Sequence, residues 1–236
     1  MPNHLRISIY SDGADVRDMV AARDAGLVTG FTTNPTLMRK AGVTDYAAFA
    51  KEALAAIGDM PISFEVFADE FDEMERQAKL IATWGDSVFV KIPVTNTKAE
   101  SSIPLIRRLS AAGVKLNVTA ILTLQQVREV VEALDADTPA IVSVFAGRIA
   151  DTGRDPVPLM REAAEICAAK PKAELLWASP RELLNIFQAE ECGCRIITVT
   201  NDVLKKLAMV GKSLDELSLD TVKMFYNDAS AAGYKL

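Results

Sequence analysis

The chain has 236 residues, of which 50% are apolar and 25% charged, and it carries a net charge of −6. This composition supports a large packed core and excludes a disordered chain. The negative surface disfavours nucleic acid and anionic membranes as partners, so any anion must be held by a local group of cations. With His4 as its only histidine, the chain has no imidazole for Ser-His-Asp or Cys-His catalysis unless a tail residue supplies it. A multi-histidine metal centre is disfavoured for the same reason, and His4 is read as a solvated tail residue.

Short β-branched runs alternate with amphipathic stretches. Strands are predicted at Leu5–Ser11, Val28–Thr33, Pro61–Phe67, Ser87–Ile92, Val114–Thr119, Ala140–Phe145, Glu174–Ala178 and Arg195–Thr200. The helices between them are predicted at Asp15–Ala25, Tyr46–Ile57, Asp72–Trp84, Ala99–Ala112, Leu124–Leu134, Val157–Ala169, Pro180–Glu190 and Asp202–Met209, and Leu214–Ala232 closes the chain. Capping boxes are read at Thr123–Gln126, Ser179–Glu182 and Ser213–Glu216, with Pro180 at a first helical position. Gly26, Gly85, Gly113 and Gly193 fall where helix C-caps are expected.

Eight strand–helix units predict an α/β chain folded as a single (β/α)8 TIM barrel over residues 1–236, with an additional C-terminal helix. An open doubly wound sheet is the alternative, weakened by the lack of G-x-G-x-x-G after the first strand. Gly211-Lys212-Ser213 looks like the end of a P-loop, but Lys206 stands where the earlier glycine is required. Cys167, Cys192 and Cys194 have neither framework nor zinc spacing, which suggests reduced, buried thiols in a cytoplasmic setting. The N-terminal segment lacks an apolar signal core and no apolar run reaches membrane-spanning length.

Strands of a parallel barrel normally read as continuous apolar runs. Here polar residues recur at every second position, so they share a face: Ser8, Tyr10 and Asp12; Ser63 and Glu65; Phe89 and Lys91; Asn117 and Thr119. They lie toward the C-terminal ends of their strands, the catalytic end of such a barrel, whereas Lys115 begins its strand and belongs to the opposite, structural end. Each costs several kcal/mol to bury unpaired, by general estimates of about 2–7 kcal/mol. Their convergence is better explained by function than by stability. The structural alternative is a buried Lys91–Glu65 or Lys91–Asp12 ion pair.

An unprotonated amine attacks a carbonyl to give a carbinolamine and then an iminium, an electron sink for breaking the adjacent C–C bond. Burial favours the neutral amine and an ionised carboxylate opposes it. Dehydration and C–C cleavage also need acid–base groups, for which Glu65 and Asp12 are available. Arg148 after the sixth strand, with Ser179 and Arg181 after the seventh, forms a candidate phosphate site. Arg148 could instead pair with Asp151 or Asp155. A phosphosugar isomerase or epimerase using Asp12 and Glu65, and a non-catalytic phosphosugar-binding protein, remain open readings of these residues.

Five segments carry a family resemblance: Ser11–Asp15, Thr32–Thr36 (T-T-N-P-T), Val88–Thr95 (V-F-V-K-I-P-V-T), Asn117–Thr119 and Phe145–Asp151 (F-A-G-R-I-A-D). With them the chain resembles the transaldolase family, in the short form that includes fructose-6-phosphate aldolase. The aspartate motif departs from the family pattern, with Ser11 for the usual leucine and Gly13 for the usual threonine.

The resemblance implies that Lys91 forms a Schiff base with a ketose, that Asp12 handles the proton of the cleaved hydroxyl, and that Glu65 and Thr119 hold the catalytic water. It implies that Asn34, Asn117 and Ser143, beside Thr33, bind the dihydroxyacetone unit, and that Arg148, Ser179 and Arg181 bind the phosphate. Glu65 and Phe145 match transaldolases, where the aldolases have glutamine and tyrosine. The implied activity is therefore transfer, with fructose-6-phosphate-aldolase-type release as the alternative. The implied partners are small-molecule sugar phosphates and, as in related short proteins, further copies of the chain in a homo-oligomer, often a ring-like decamer. Ser218–Leu236 could pack on a neighbouring subunit. No metal and no organic cofactor are implied.

Overall fold

The computed structural model describes residues 5–235; His4 lies outside them. Eight strands, β1 (Ser8–Asp12), β2 (Gly30–Thr32), β3 (Ile62–Glu65), β4 (Val88–Pro93), β5 (Leu116–Ile121), β6 (Ala140–Val144), β7 (Ala173–Trp177) and β8 (Ile196–Val199), pair in parallel and in chain order. β8 closes on β1. The helices are α1 (Val16–Asp24), α2 (Pro35–Lys40), α3 (Tyr46–Ile57), α4 (Phe71–Ala82), α5 (Ile103–Ala111), α6 (Leu124–Ala133), α7 (Ala146–Ala150), α8 (Val157–Cys167), α9 (Leu184–Glu191), α10 (Asn201–Lys205) and α11 (Leu214–Ala232). The closed ring is the (β/α)8 barrel with an extra C-terminal helix, and it excludes the doubly wound sheet. No helix among the described residues is long and apolar enough to cross a membrane.

Strand alternation divides the apolar residues into two sets. Val88, Val90, Ile92, Leu116 and Val118 face the helices within the large core between sheet and helical ring. Tyr10, Ile141, Leu176, Ala178 and Ile196, with Phe89 and Phe145 against them, form a smaller separate cluster. Their positions on alternating strand faces assign this second cluster to the barrel interior. Gly30 allows the interior to close. A Cβ there would lie 2.6 Å from ring atoms of Tyr10, so the aromatic ring occupies the volume a side chain would need.

Several boundaries differ from the sequence reading. β1 starts at Ser8 rather than Leu5 and reaches Asp12. β5 runs on to Ile121 through a bulge between Val118 and Ile121, where Ala120 has φ 62. The helix predicted from Ala99 begins at Ile103, and that predicted over Asp202–Met209 divides into α10 and a 3-10 turn, Lys206–Met209. The five- and six-residue helices α7 and α2 were not predicted.

The capping boxes at Thr123 and Ser213 form. The one at Ser179 does not: α9 begins at Leu184, and Ser179 has the left-handed φ of 57. Pro180 is therefore outside the helix. Gly26, Gly113 and Gly193 take positive φ after their helices, whereas Gly85 does not. Lys115 lies at the base of β5, where its Nζ donates to the Asp86 carbonyl at 2.5 Å. The three cysteines are buried and unbridged, and burial pushes the Cys167 thiol up to about 12.

Candidate active site

The C-terminal ends of the strands enclose a cavity of about 560 Å³ lined by Asp12, Asn34, Glu65, Lys91, Asn117, Thr119, Ser143, Phe145, Arg148 and Ser179, together with Thr32, Lys40, Ala120 and Thr198. A hollow of similar size, about 590 Å³, opens among Arg6, Glu174, Glu190 and Arg195. It contains none of these residues and lies at strand starts, the stability face of such barrels. The candidate functional side chains therefore gather in the first cavity.

Register brings the central groups together. Glu65 on β3 is the Cα partner of Lys91 on β4, and Lys91 is the partner of Asn117 on β5. Lys91 is only 7% exposed. Its Nζ lies 3.2 Å from Glu65 Oε2 and donates to the Thr33 carbonyl at 2.9 Å. The end of β3 is held in place by Tyr46, whose hydroxyl donates to the Glu65 carbonyl and accepts from the Glu65 N–H, each at 2.8 Å.

Asp12 lies at the end of β1, where its Oδ1 accepts from Thr32 Oγ1 at 2.7 Å. Thr32 Oγ1 also lies 2.5 Å from Thr198 Oγ1. Burial raises the Asp12 carboxyl above the usual carboxylate range and Glu65 adds to the rise, against the opposing effects of Lys91 and the Thr32 hydrogen bond. Ser143 Oγ donates to Asn117 Oδ1 at 2.6 Å, and Asn117 Nδ2 donates to Ser63 Oγ at 2.9 Å. This chain fixes which face of the Asn117 amide meets the cavity. Thr119 Oγ1 is buried and has no hydrogen-bond partner among the described residues. An orphaned hydroxyl of this kind costs about 1–3 kcal/mol, and Thr119 lines the same cavity as Lys91.

Two assigned residues stand differently from the sequence reading. The Thr33 side chain turns out of the cavity, with Oγ1 donating to the Ser63 carbonyl at 2.9 Å, so Thr33 contributes its carbonyl to Lys91 and not its hydroxyl. Arg181 is absent from the cavity lining and pairs with Asp151. Arg148 has no ion pair among the described residues, so the pairing considered for it with Asp151 is taken by Arg181. Asn34 lines the cavity while its Oδ1 caps α2 through the Leu37 N–H at 2.9 Å. Thr32, Thr198, Lys40 and Ala120 were missed. The alternation rule reaches Thr32 from Gly30 and Thr198 from Ile196, but Lys40 and Ala120 depend on a short helix and a bulge.

The raised Asp12 carboxyl has a stability consequence. The native state holds that proton more tightly than the unfolded chain, so this stability is present at low pH and is lost as pH rises through the folded-state value. Asp12→Asn should therefore be more stable than wild type at about pH 7, with the gain vanishing toward about pH 3. Its catalytic rate should fall by about a hundredfold or more. Thermal melts across pH, with turnover measured alongside, check both effects.

The sequence model of the family described as Transaldolase/Fructose-6-phosphate aldolase matches residues 9–236. A "Probable transaldolase" from Dehalococcoides mccartyi is 33% identical over 200 residues, covering 84% of this chain and 89% of that protein. "Probable transaldolase 2" from Listeria monocytogenes is 33% identical over 202 residues, covering 85% and 88%. Among solved structures, KGPDC from Streptococcus mutans superposes with a TM-score of 0.58 at 12% identity, covering 86% of this chain and 91% of that one; the likeness concerns the barrel alone. By its family match and its relatives, the chain belongs to the transaldolase/fructose-6-phosphate aldolase family.

Proposed function

We propose that the protein is a transaldolase that passes a dihydroxyacetone unit from a ketose phosphate, such as fructose 6-phosphate or sedoheptulose 7-phosphate, to an aldose phosphate through a Schiff base on Lys91. The observation that carries this reading is the buried Lys91 amine set between Glu65 and the Thr33 carbonyl, in one cavity with Asp12 and the unpartnered Thr119 hydroxyl.

In its neutral form, Nζ adds to the ketose carbonyl at C2. A proton delivered to the resulting hydroxyl lets water leave and the iminium form, with Glu65 and Thr119 placed to hold that water. Asp12 then takes the proton of the C4 hydroxyl. The C3–C4 electron pair moves into the iminium, the aldose leaves as its aldehyde, and an enamine remains on Lys91. The enamine attacks an acceptor aldehyde, and hydrolysis returns the amine. Asn34, Asn117 and Ser143 orient the three-carbon unit, and Arg148 with Ser179 meets the phosphate. Phe145 lines the cavity without a hydroxyl that could protonate the carbanion, which supports transfer over release.

We propose a second copy of this chain as the partner of α11. None of its residues is buried, and Leu219, Val222, Phe225 and Tyr226 form an exposed apolar stripe along one side. A helix of this length gains its stability chiefly from packing. A cytoplasmic setting accompanies the reading, supported by three buried, unbridged thiols.

Incubation with fructose 6-phosphate and erythrose 4-phosphate should yield sedoheptulose 7-phosphate, and without an acceptor little free dihydroxyacetone should appear. Phe145→Tyr should shift the ratio toward release. Free dihydroxyacetone from the wild type, independent of acceptor, would replace the transferase reading with the aldolase one. In sedimentation velocity the wild type should run as an oligomer and Val222→Lys/Phe225→Glu as a smaller species; a monomeric wild type would contradict the proposed partner.

A further inference from the structure

The three residues read as an anion site do not stand alike. Arg148 and Ser179 face the cavity, whereas the Arg181 guanidinium is turned onto α7. Its Nε donates to Asp151 Oδ1 at 2.8 Å, its Nη2 donates to Asp151 Oδ2, and its Nη1 donates to the Ser179 carbonyl at 3.0 Å. A guanidinium has five N–H donors, so two carry no hydrogen bond among the described residues. Ser179 itself is held at φ 57, a conformation that costs a residue with a side chain about 1–2 kcal/mol. Its carbonyl lies against Gly147, where a Cβ would come within 1.5 Å of that oxygen and 3.3 Å of Arg181 Cζ. The strained turn is thus locked between a glycine with no room for a side chain and an arginine gripped by a carboxylate. The neighbouring Arg181 and Glu182 N–H groups donate to Asn185 Oδ1 at 2.7 and 3.1 Å.

Arg181 itself lines a hollow of about 330 Å³ whose other walls include Arg154, Asp155 and Trp177. A guanidinium released from Asp151 would have space to move there, with a second carboxylate, Asp155, in the same wall. An exposed ion pair by itself contributes little to stability. The fork geometry on Asp151, the strained Ser179 and the open space beside Arg181 together indicate that the pair serves to aim groups.

We propose that Asp151 is a positioning residue for the phosphate of the substrate. By holding Arg181 in its fork, it keeps the Arg181 guanidinium on the Ser179 carbonyl and so keeps Ser179 turned to the cavity beside Arg148. The inference rests on the proposed reading of this end of the site as the phosphate end.

The test compares fructose 6-phosphate with unphosphorylated fructose as donors, at fixed acceptor, and measures competitive inhibition by inorganic phosphate. For Asp151→Asn, KM for the phosphorylated donor and Ki for phosphate should both rise about tenfold, the scale of one charge-assisted hydrogen bond. The corresponding kcat should change by less than about twofold, because the reacting atoms are untouched. Fructose turnover should be unaffected, Asp151→Glu should recover part of the loss, and adding Asp151→Asn to Arg181→Met should cost nothing further.

A lower melting temperature with unchanged phosphate Ki, an equal loss on both donors, or additive effects in the double variant would overturn the proposal. If Asp151→Asn does not fold, Arg181→Lys keeps the charge without the fork and should show the same loss; an unchanged Ki there would also overturn it. A wild type that is neither inhibited by phosphate nor selective for the phosphorylated donor would instead overturn the phosphate reading itself.

Discussion

An amine brought inside a barrel has to be satisfied by its surroundings, since an unpaired buried charge costs several kcal/mol, of the order of 3–5 kcal/mol when its partner is removed. Lys91 is satisfied by two groups from different parts of the sheet, the Glu65 carboxylate of β3 at 3.2 Å and the Thr33 carbonyl just past β2 at 2.9 Å. Each constrains its strand. A one-residue slip of β3 would turn Glu65 to the helical side and leave the amine alone, and the paired hydrogen bonds of Tyr46 to the Glu65 backbone resist that slip. The Thr33 carbonyl points inward only because β2 ends there and the chain turns into α2 through the Asn34 cap. The placement of Asn34, Glu65 and Asn117 in one cavity with Lys91 follows from the same arrangement.

Stability and chemistry are divided between the two faces of the sheet. The outer face is apolar along almost its whole length and packs against the helices. The inner face is apolar toward the base, with Ile141, Leu176 and Ile196, and polar toward the mouth. The costly features gather at that mouth: the raised carboxyl of Asp12, the orphaned Thr119 hydroxyl, and, among the described residues, two of the three non-glycine residues with positive φ, Ala120 and Ser179. Strain of this kind persists where surrounding structure enforces it, and the outer core provides that enforcement.

Much of this was legible in the sequence because strand side chains alternate strictly. Once Lys91 is placed inward, Phe89 joins it, and the same parity selects Asp12, Glu65, Asn117 and Thr119 without knowledge of any contact, whereas Ser143 came from the family resemblance alone. Parity also explains the error at Thr33: the motif drew attention to Thr33, while the inward side chain is that of Thr32. Ser179 was misread for a different reason. Ser-Pro-Arg-Glu is a genuine local capping signal, but tertiary contacts with Gly147 and the Arg181–Asp151 pair override it. Partners separated by 30 residues leave no local trace. Helices as short as α2 and α7 complete too few turns for periodicity to register, so Lys40 could not be assigned to the cavity in advance.

The proposed mechanism turns on Lys91 Nζ as the reacting nitrogen. The most direct measurement is borohydride reduction in the presence of fructose 6-phosphate, followed by peptide mass mapping, with Lys91→Ala treated in parallel. A Schiff base on Lys91 requires a reduced three-carbon adduct on Lys91 and none in the variant. An adduct on another lysine, or turnover of the donor with no trapped adduct at all, would contradict it.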